Sequence, residues 1–387
     1  MIQSKALVGS SILQMTENRA KRCQVSGRTR PSQEPYCALS AATLTLLMLM
    51  VGCGGSGGGG STLTGPAAGP SIYLTQDNLI LGGPPLPSNI LQFPTTANGT
   101  VSPTATLTGP ANVVFSGLAV DGTGNAYVGG EIFGTGGGSG GPPLISIEIL
   151  IYAPGASGSD PTRTITSSSL QINQGGINAL TVDSSGNLYV SGVLAAPNLG
   201  SGVAVFSPAA SGDVVPIRTI GGSATTIIGL GAVPIAVDSA DNIYISNADL
   251  LGPESILIFN SSANGNVPPT STIGGPATTI NSIAGLALDS AGNIYVSNVP
   301  SDQNALPEIL EFSAGSTGNV APIRTISGSA TTITSIGGLA LDSAANIYVL
   351  NDLNLLKFAP NATGNVAPIA TITTATSLIF DNSIAVH

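Results

Sequence analysis

LDSAGNIYVSN, Leu288 to Asn298, is one of five close copies of a single short hairpin in this chain. Aligned on the aspartate, the others are GLAVDGTGNAYV around Asp121, ALTVDSSGNLYV around Asp183, PIAVDSADNIYI around Asp238 and GLALDSAANIYV around Asp342. Asparagine stands four residues after each Asp and tyrosine six after, and the copies lie 51 to 62 residues apart. A period of this size marks a repeat architecture, in which neighbouring units cover each other's apolar faces.

Each copy continues in the same way. A second apolar run ends in an aromatic: ILQF at Phe93, ILIY at Tyr152, VAVF at Phe206, ILIF at Phe259, ILEF at Phe312 and LLKF at Phe358. A glycine turn follows, at Gly99, Gly158, Gly212, Gly265, Gly318 and Gly364, and then a Pro-x-x-Thr-Ile/Leu run from Pro103, Pro161, Pro216, Pro269, Pro322 and Pro368. A unit therefore reads as four short strands, a (GLALD), b (NIYVSN), c (ILIF) and d (PIRTI), with turn signals between them.

Motifs c and d occur six times. Motif a occurs five times and once more near the end, as SLIFD from Ser377 to Asp381, while the N-terminal part starts at a b motif, SIYL from Ser71. Joining the C-terminal a strand to the N-terminal b, c and d strands makes a sixth unit and closes a ring. The expected fold is all-β: a six-bladed β-propeller of four-stranded blades, which leaves no open end of a linear stack.

The repeated residues read first as structure. An Asp side chain bonds backbone N–H groups a few residues on, and Gly at the fourth position supplies a positive φ, so Asp121, Asp183, Asp238, Asp289 and Asp342 are assigned to turns. The competing reading is calcium ligation by Asp and Asn oxygens, but each turn offers few carboxylates. The b-strand tyrosines (Tyr73, Tyr127, Tyr189, Tyr244, Tyr295, Tyr348) and the c-strand aromatics come once per strand in register, which predicts packing between blades. The d strand should be outermost, where Pro and the charges of Arg163, Arg218 and Arg324 discourage pairing with other chains.

The first fifty-odd residues differ. They carry six of the ten basic residues, then the apolar run ALSAATLTLLMLMV from Ala38 to Val51, then Gly52-Cys53. A basic start, about fourteen apolar residues and a small residue before the break describe a secretory signal; the run is too short for a membrane span. The break resembles the lipobox of bacterial lipoproteins, which implies a signal over 1–52, starting at Met1 or Met15, and an acylated Cys53. Gly54 after the cysteine implies, by the same resemblance, the outer membrane. Residues 53–70 are Gly/Ser-rich and read as a tether, and 71–387 as the propeller. Cleavage at Cys53 leaves no other cysteine. Four basic residues then face eighteen carboxylates, a net charge of about −14. That excludes a nucleic-acid footprint and leaves lipid as the only membrane attachment.

The repeat VDSSGNLYVSG, followed by the c-strand aromatic, resembles the NHL-repeat and related SBBP-type propellers over nearly all of Ser71 to His387. The resemblance implies the fold; the families include binding scaffolds as well as enzymes. Loops on a rigid frame carry function, and the b–c loops vary most. They gather the ligand-binding candidates Asp77, Glu131, Asp249, Asp302 and Asp352, with Glu254 and Glu308. Gluconolactonase-like propellers hold a divalent cation near the axis, which makes Glu131, Asn247, Asn298 and Asp352 the candidates for a single such ion. The only histidine is His387, so a His-based zinc site or Ser-His-Asp triad has no material, and no catalytic residue is assigned. The expected role is a monomeric, non-catalytic binding scaffold for a protein or extracellular ligand, without cofactor. The alternatives are a metal-dependent lactonase-like hydrolase and a surface-coat or adhesion protein.

Overall fold

The computed structural model describes residues 70–78, 86–133, 144–170, 176–195, 200–228, 233–248, 252–302, 304–374 and 383–387. Cys53, the tether, Asp249 and the SLIFD stretch lie outside them, as does the side chain of Asp77. These residues form six small sheets with an antiparallel a-b-c-d order, four of four strands and two of five, the fifth strand in blades 2 and 6 being a short parallel one from the next blade, and together they make a six-bladed β-propeller. Among the described residues the helices are three 3₁₀ turns, and no helix is long and apolar enough to cross a membrane.

Blade 2 runs through Val113–Val120, Ala126–Phe133, Leu144–Tyr152 and Arg163–Thr166. Blade 3 uses Ile177–Val182, Leu188–Leu194, Gly200–Phe206 and Arg218–Gly221, and blade 4 uses Ile235–Val237, Ile243–Asn247, Ser255–Phe259 and Ser271–Ile273. Blade 5 uses Ser282–Leu288, Ile294–Val299, Glu308–Phe312 and Arg324–Ile326, and blade 6 uses Leu339–Leu341, Ile347–Asn351, Asn354–Phe358 and Ala370–Thr374. Blade 1 joins the two ends of the chain: Ile384–Val386 is its a strand, beside Ser71–Asn78, Leu86–Pro94 and Ala105–Thr108.

Closure is as the repeat count requires, but the closing strand is not SLIFD. Ile72 pairs with Val386, Tyr73 with Ala385 and Leu74 with Ile384. In blade 2 the matching pairs are Ala126 with Val120, Tyr127 with Ala119 and Val128 with Leu118. SIAVH, Ser383 to His387, therefore occupies the place of GLAVD and PIAVD, and His387 stands where the other blades have the turn Asp. The pleat explains the choice: SIAVH repeats the central Ile-Ala-Val of PIAVD in the same alternation, and register follows that alternation.

Six apolar clusters hold the ring together, each between neighbouring blades. Tyr127 of blade 2 lies with Phe206 of blade 3, Tyr189 with Phe259, Tyr244 with Phe312, Tyr295 with Phe358, Tyr348 with Phe93 and Tyr73 with Tyr152. The b-strand tyrosine of one blade thus shares an apolar cluster with the c-strand aromatic of the next at every seam.

A second device ties the outer rim. In five of the six blades the glycine of the c–d turn reaches back to the d strand of the preceding blade and pairs with it in parallel: Gly212 with Ile165, Gly265 with Ile220, Gly318 with Ile273, Gly364 with Ile326 and Gly99 with Ile372. Where an asparagine follows, its Oδ1 accepts the N–H of the next 3₁₀ turn: Asn266 from Ala224, Asn319 from Ala277 and Asn365 from Ala330, all at 2.6–2.7 Å. The basic residues join the same seams. Arg163 donates to the Pro208 and Ala210 carbonyls, Arg218 to those of Ser261 and Ala263, and Lys357 to that of Thr95. Arg324 forks onto Glu311 of its own blade and reaches Asn361 of blade 6. They are ties between blades as well as charges on an edge.

The clasp has a tight point. Gly275 has φ +112°, and a Cβ there would fall 2.7 Å from Asn319 Oδ1. Gly275→Ala is expected to cost about 2 kcal/mol through strain and collision. The loss should shrink when Asn319→Gly is added, as a double-mutant cycle in urea will report.

Candidate functional site

On the face carrying the a–b turns, each repeated Asp binds the same four donors. Oδ1 accepts the N–H groups two and four residues on, and Oδ2 accepts the Asn side chain at four and the Tyr hydroxyl at six. For Asp342 these are Ala344 N at 3.0 Å, Asn346 N at 2.9 Å, Asn346 Nδ2 at 2.8 Å and Tyr348 Oη at 2.9 Å. Asp121, Asp183, Asp238 and Asp289 repeat the pattern. The D-x-x-x-N-x-Y spacing is thus a carboxylate whose lone pairs are filled from within the hairpin. The turn also needs a positive φ at its fourth residue: Gly124, Gly186 and Gly292 supply it, while Asp241 and Ala345 hold φ of 62° and 59° without glycine.

The opposite face carries the b–c and d–a loops. Three d–a loops begin with the same five-residue device, SATTI at Ser223, PATTI at Pro276 and SATTI at Ser329. The first threonines (Thr225, Thr278, Thr331) are fully buried, donating to the carbonyl three residues back and accepting an N–H two residues on. The second ones, Thr226, Thr279 and Thr332, sit at φ of 55–58°, an unfavourable place for a β-branched residue. The strand-end asparagines brace them. Asn298 Nδ2 donates to the Thr279 carbonyl and its Oδ1 accepts Asn281 N; Asn351 does the same with Thr332 and Thr334. Asn247 Oδ1 accepts Ile228 N at 2.6 Å.

These bonds place the candidate cation ligands. The oxygens of Asn247, Asn298 and Asn351 are directed at backbone amides of the adjoining loop. Asp352 Oδ2 accepts from Thr334 Oγ1 at 2.9 Å. Of the four proposed ligands only Glu131 lines the central channel, a cavity of about 460 Å³ walled by the six a strands. The four do not meet there, and among the described residues no three His, Cys, Asp or Glu side chains gather as a metal site.

The other loop carboxylates are distributed similarly. Glu254 Oε2 accepts Ile283 N at 2.8 Å and Oε1 accepts Ser282 Oγ, tying blade 4 to blade 5; burial pushes its carboxyl upward against those bonds. Glu308, also raised by burial, accepts from Asn298 Nδ2 at 2.9 Å. Asp302 closes an exposed turn through Asn304.

What sequence reasoning did not single out on this face is apolar. Ile228, Val299, Leu306 and Leu353 are 43%, 39%, 39% and 50% exposed, on loops of blades 4, 5 and 6. Of these, Leu306 lines a cavity of about 470 Å³, together with Thr279, Asn281, Pro300, Glu308 and Gly328, among others. The signal was available: these are large apolar residues inside loops that the strand pattern does not use.

No protein-family model and no curated protein matches the sequence. Among solved structures the chain is similar to a protein of unknown function from Bacteroides caccae, with TM-score 0.53 and 8% identity over 82% of this chain and 99% of that one. It is also similar to PorZ of Porphyromonas gingivalis, an essential bacterial surface component of the type-IX secretion system, with TM-score 0.44 and 12% identity over 81% of this chain and 42% of that one. At such identities the first likeness shows the fold alone.

Two predictions follow the turn geometry. Ala345→Gly removes the strain of a left-handed alanine, so it should stabilise by about 1 kcal/mol in urea titration. The second concerns pH. Burial works to raise Asp121, but bonds from Asn125 and Thr123 outweigh it and hold the carboxyl at about 2; Asp342 is lowered in the same way. Their contribution is present above the ordinary carboxylate range near 4 and is lost as pH falls toward 2. Burial, then the neighbouring carboxylates, push Tyr127 and Tyr295 up to about 12. Theirs is present below about pH 10 and is lost as pH rises through 12. The urea midpoint should therefore be flat between these limits and fall at both ends, with the acid fall reduced in Asp121→Asn.

Proposed function

We propose that this chain is an NHL-type propeller lipoprotein of the bacterial cell envelope, acylated at Cys53 and held at the outer membrane. In this reading the ring is a non-catalytic scaffold that presents its b–c and d–a loop face to a protein or other extracellular partner. One observation supports it above others. The polar side chains repeated round the ring are spent on holding turns and seams. Large apolar residues are exposed on the c–d connections (Val215, Ile217, Ile323, Ile369) as well as on the loop face (Ile228, Val299, Leu306, Leu353), but on the loop face Leu306 also lines a cavity, and an exposed apolar side chain at a cavity supports a binding surface. The net charge of about −14 leaves nucleic acid and anionic lipid out of the set of partners.

Two measurements test this. Cys53→Ser should move the protein from the membrane fraction to the soluble fraction and abolish acyl labelling; a variant that stays membrane-bound overturns the anchor. A photo-crosslinking residue placed at Leu306 or Leu353 should then give one defined adduct in intact cells, with none from Ser184 on the opposite face. Equal labelling from both faces, or from neither, removes the loop face as the binding surface.

A further inference from the structure

The cavity on the loop face of blade 5 is bounded by Pro300 and Leu306 of the b–c loop, by Thr279 and Asn281 of the loop entering the blade, and by Ser327 of the loop leaving it. Its one charged lining residue is Glu308, at the start of the c strand. Among the described residues the ion pairs are Arg324 with Glu311 and Lys357 with Asp342, so Glu308 has no countercharge. Burial raises its carboxyl, and the one influence against burial is the Asn298 side chain.

The amide hydrogens beside it are spent. Asn298 Nδ2 gives one to the Thr279 carbonyl at 3.1 Å and one to Glu308 Oε1 at 2.9 Å, and Asn281 Nδ2 donates to the Val299 carbonyl. Among the described residues Glu308 Oε2, Asn281 Oδ1 and the Ser327 hydroxyl keep no partner. The wall therefore offers acceptors, with one uncompensated carboxylate, and suits a cationic donor. An ammonium fits better than a guanidinium. Asn298 already engages Oε1, which blocks the two-point fork of arginine, while the three hydrogens of an ammonium can take separate oxygens. A single carboxylate is too few for a hard metal ion. Leu306, 39% exposed, and Pro300 supply an apolar wall for a methylene stem.

We infer that this cavity receives a lysine side chain of the partner protein, its ammonium held by Glu308 with Asn281 and Ser327 as further acceptors, and its methylenes against Leu306 and Pro300. The inference rests on the reading of the loop face as the partner surface and names what the partner brings. A second copy of this chain is a poor source. Of its basic residues beyond residue 30, Arg163, Arg218 and Lys357 donate to carbonyls at blade seams, and Arg324 forks onto Glu311. The lysine comes from a different protein, and a net charge of about −14 draws a basic one in.

The experiment is methyl NMR on the full chain, read at Leu306, with N-acetyl-lysine methylamide as probe and N-acetyl-norleucine methylamide as its counterpart without the ammonium. The lysine probe should shift the Leu306 methyls saturably. The norleucine probe in wild type, and the lysine probe in Glu308→Gln, should each bind at least about tenfold more weakly. Leu188, buried in blade 3, is the reference and should not move. Equal binding of the two probes overturns the proposal, as do an unchanged lysine affinity in Glu308→Gln and tighter binding of the arginine analogue. The wild-type comparison stands whether or not the variant keeps its fold. Crosslinking from Leu353, which does not line the cavity, separates this inference from the reading it rests on. A Leu353 adduct without lysine binding removes the cavity and keeps the face. Lysine binding with no adduct from Leu306 or Leu353 overturns the protein partner, and the amine is then a small molecule.

Discussion

A carboxylate offers lone pairs in four useful directions, and in five of the six blades one aspartate fills all four from its own hairpin. Two bonds fix the backbone turn, one fixes the Asn side chain, and the last takes the hydroxyl of a tyrosine six residues on. That last bond is where a local turn becomes a ring. The tyrosine hydroxyl is held at the turn, and its ring lies in the apolar cluster that also holds the c-strand aromatic of the next blade. A buried phenol without an acceptor would be costly, and in these five blades the carboxylate supplies that acceptor.

The same economy governs the rest of the polar residues. A chain with 8% charged residues has few ions to place, and the four basic ones beyond residue 30 reach carbonyls or carboxylates at blade seams. The strand-end asparagines hold threonines in a left-handed conformation that their branching disfavours. What is left on the loop face is apolar side chains and half-buried carboxylates.

The architecture was legible because its cause is periodic. Four strands per unit, six units, the outermost position of the d strand and the aromatic seams all follow from residue types recurring at fixed spacing. The closing strand was harder. SLIFD carries an Asp and invites alignment on it, but Asp381 is not the residue that counts; the alternation of SIAVH matches PIAVD, and only the His in place of Asp hides it. The seam contacts of Arg163, Arg218 and Lys357 join residues some forty or more positions apart, so nothing local announces them. The asparagines at the loop face were misread for a related reason. As sequence they are oxygen donors beside carboxylates, and only the positive φ of Thr279 and Thr332 reveals what their amides are for. Asp77 and Asp249 fall where no side-chain geometry is described.

Ring closure has a consequence for the order in which the molecule assembles. Blades 2 to 6 are built from neighbouring stretches of chain, whereas Ile72 meets Val386 across 314 positions. Bringing such distant ends together costs about 5 kcal/mol of chain entropy, more than a three-residue strand returns alone. The turn of blade 1 also grips blade 6 through Gly99 and Ile372, and Tyr348 shares a cluster with Phe93. These contacts need no C-terminal strand. During synthesis the first hairpin to emerge is therefore a guest without a host until blade 6 exists. The Ile384–Val386 strand then serves as a latch on a ring already drawn shut, so the strands of the ring that are made first are among the last to reach their native surroundings.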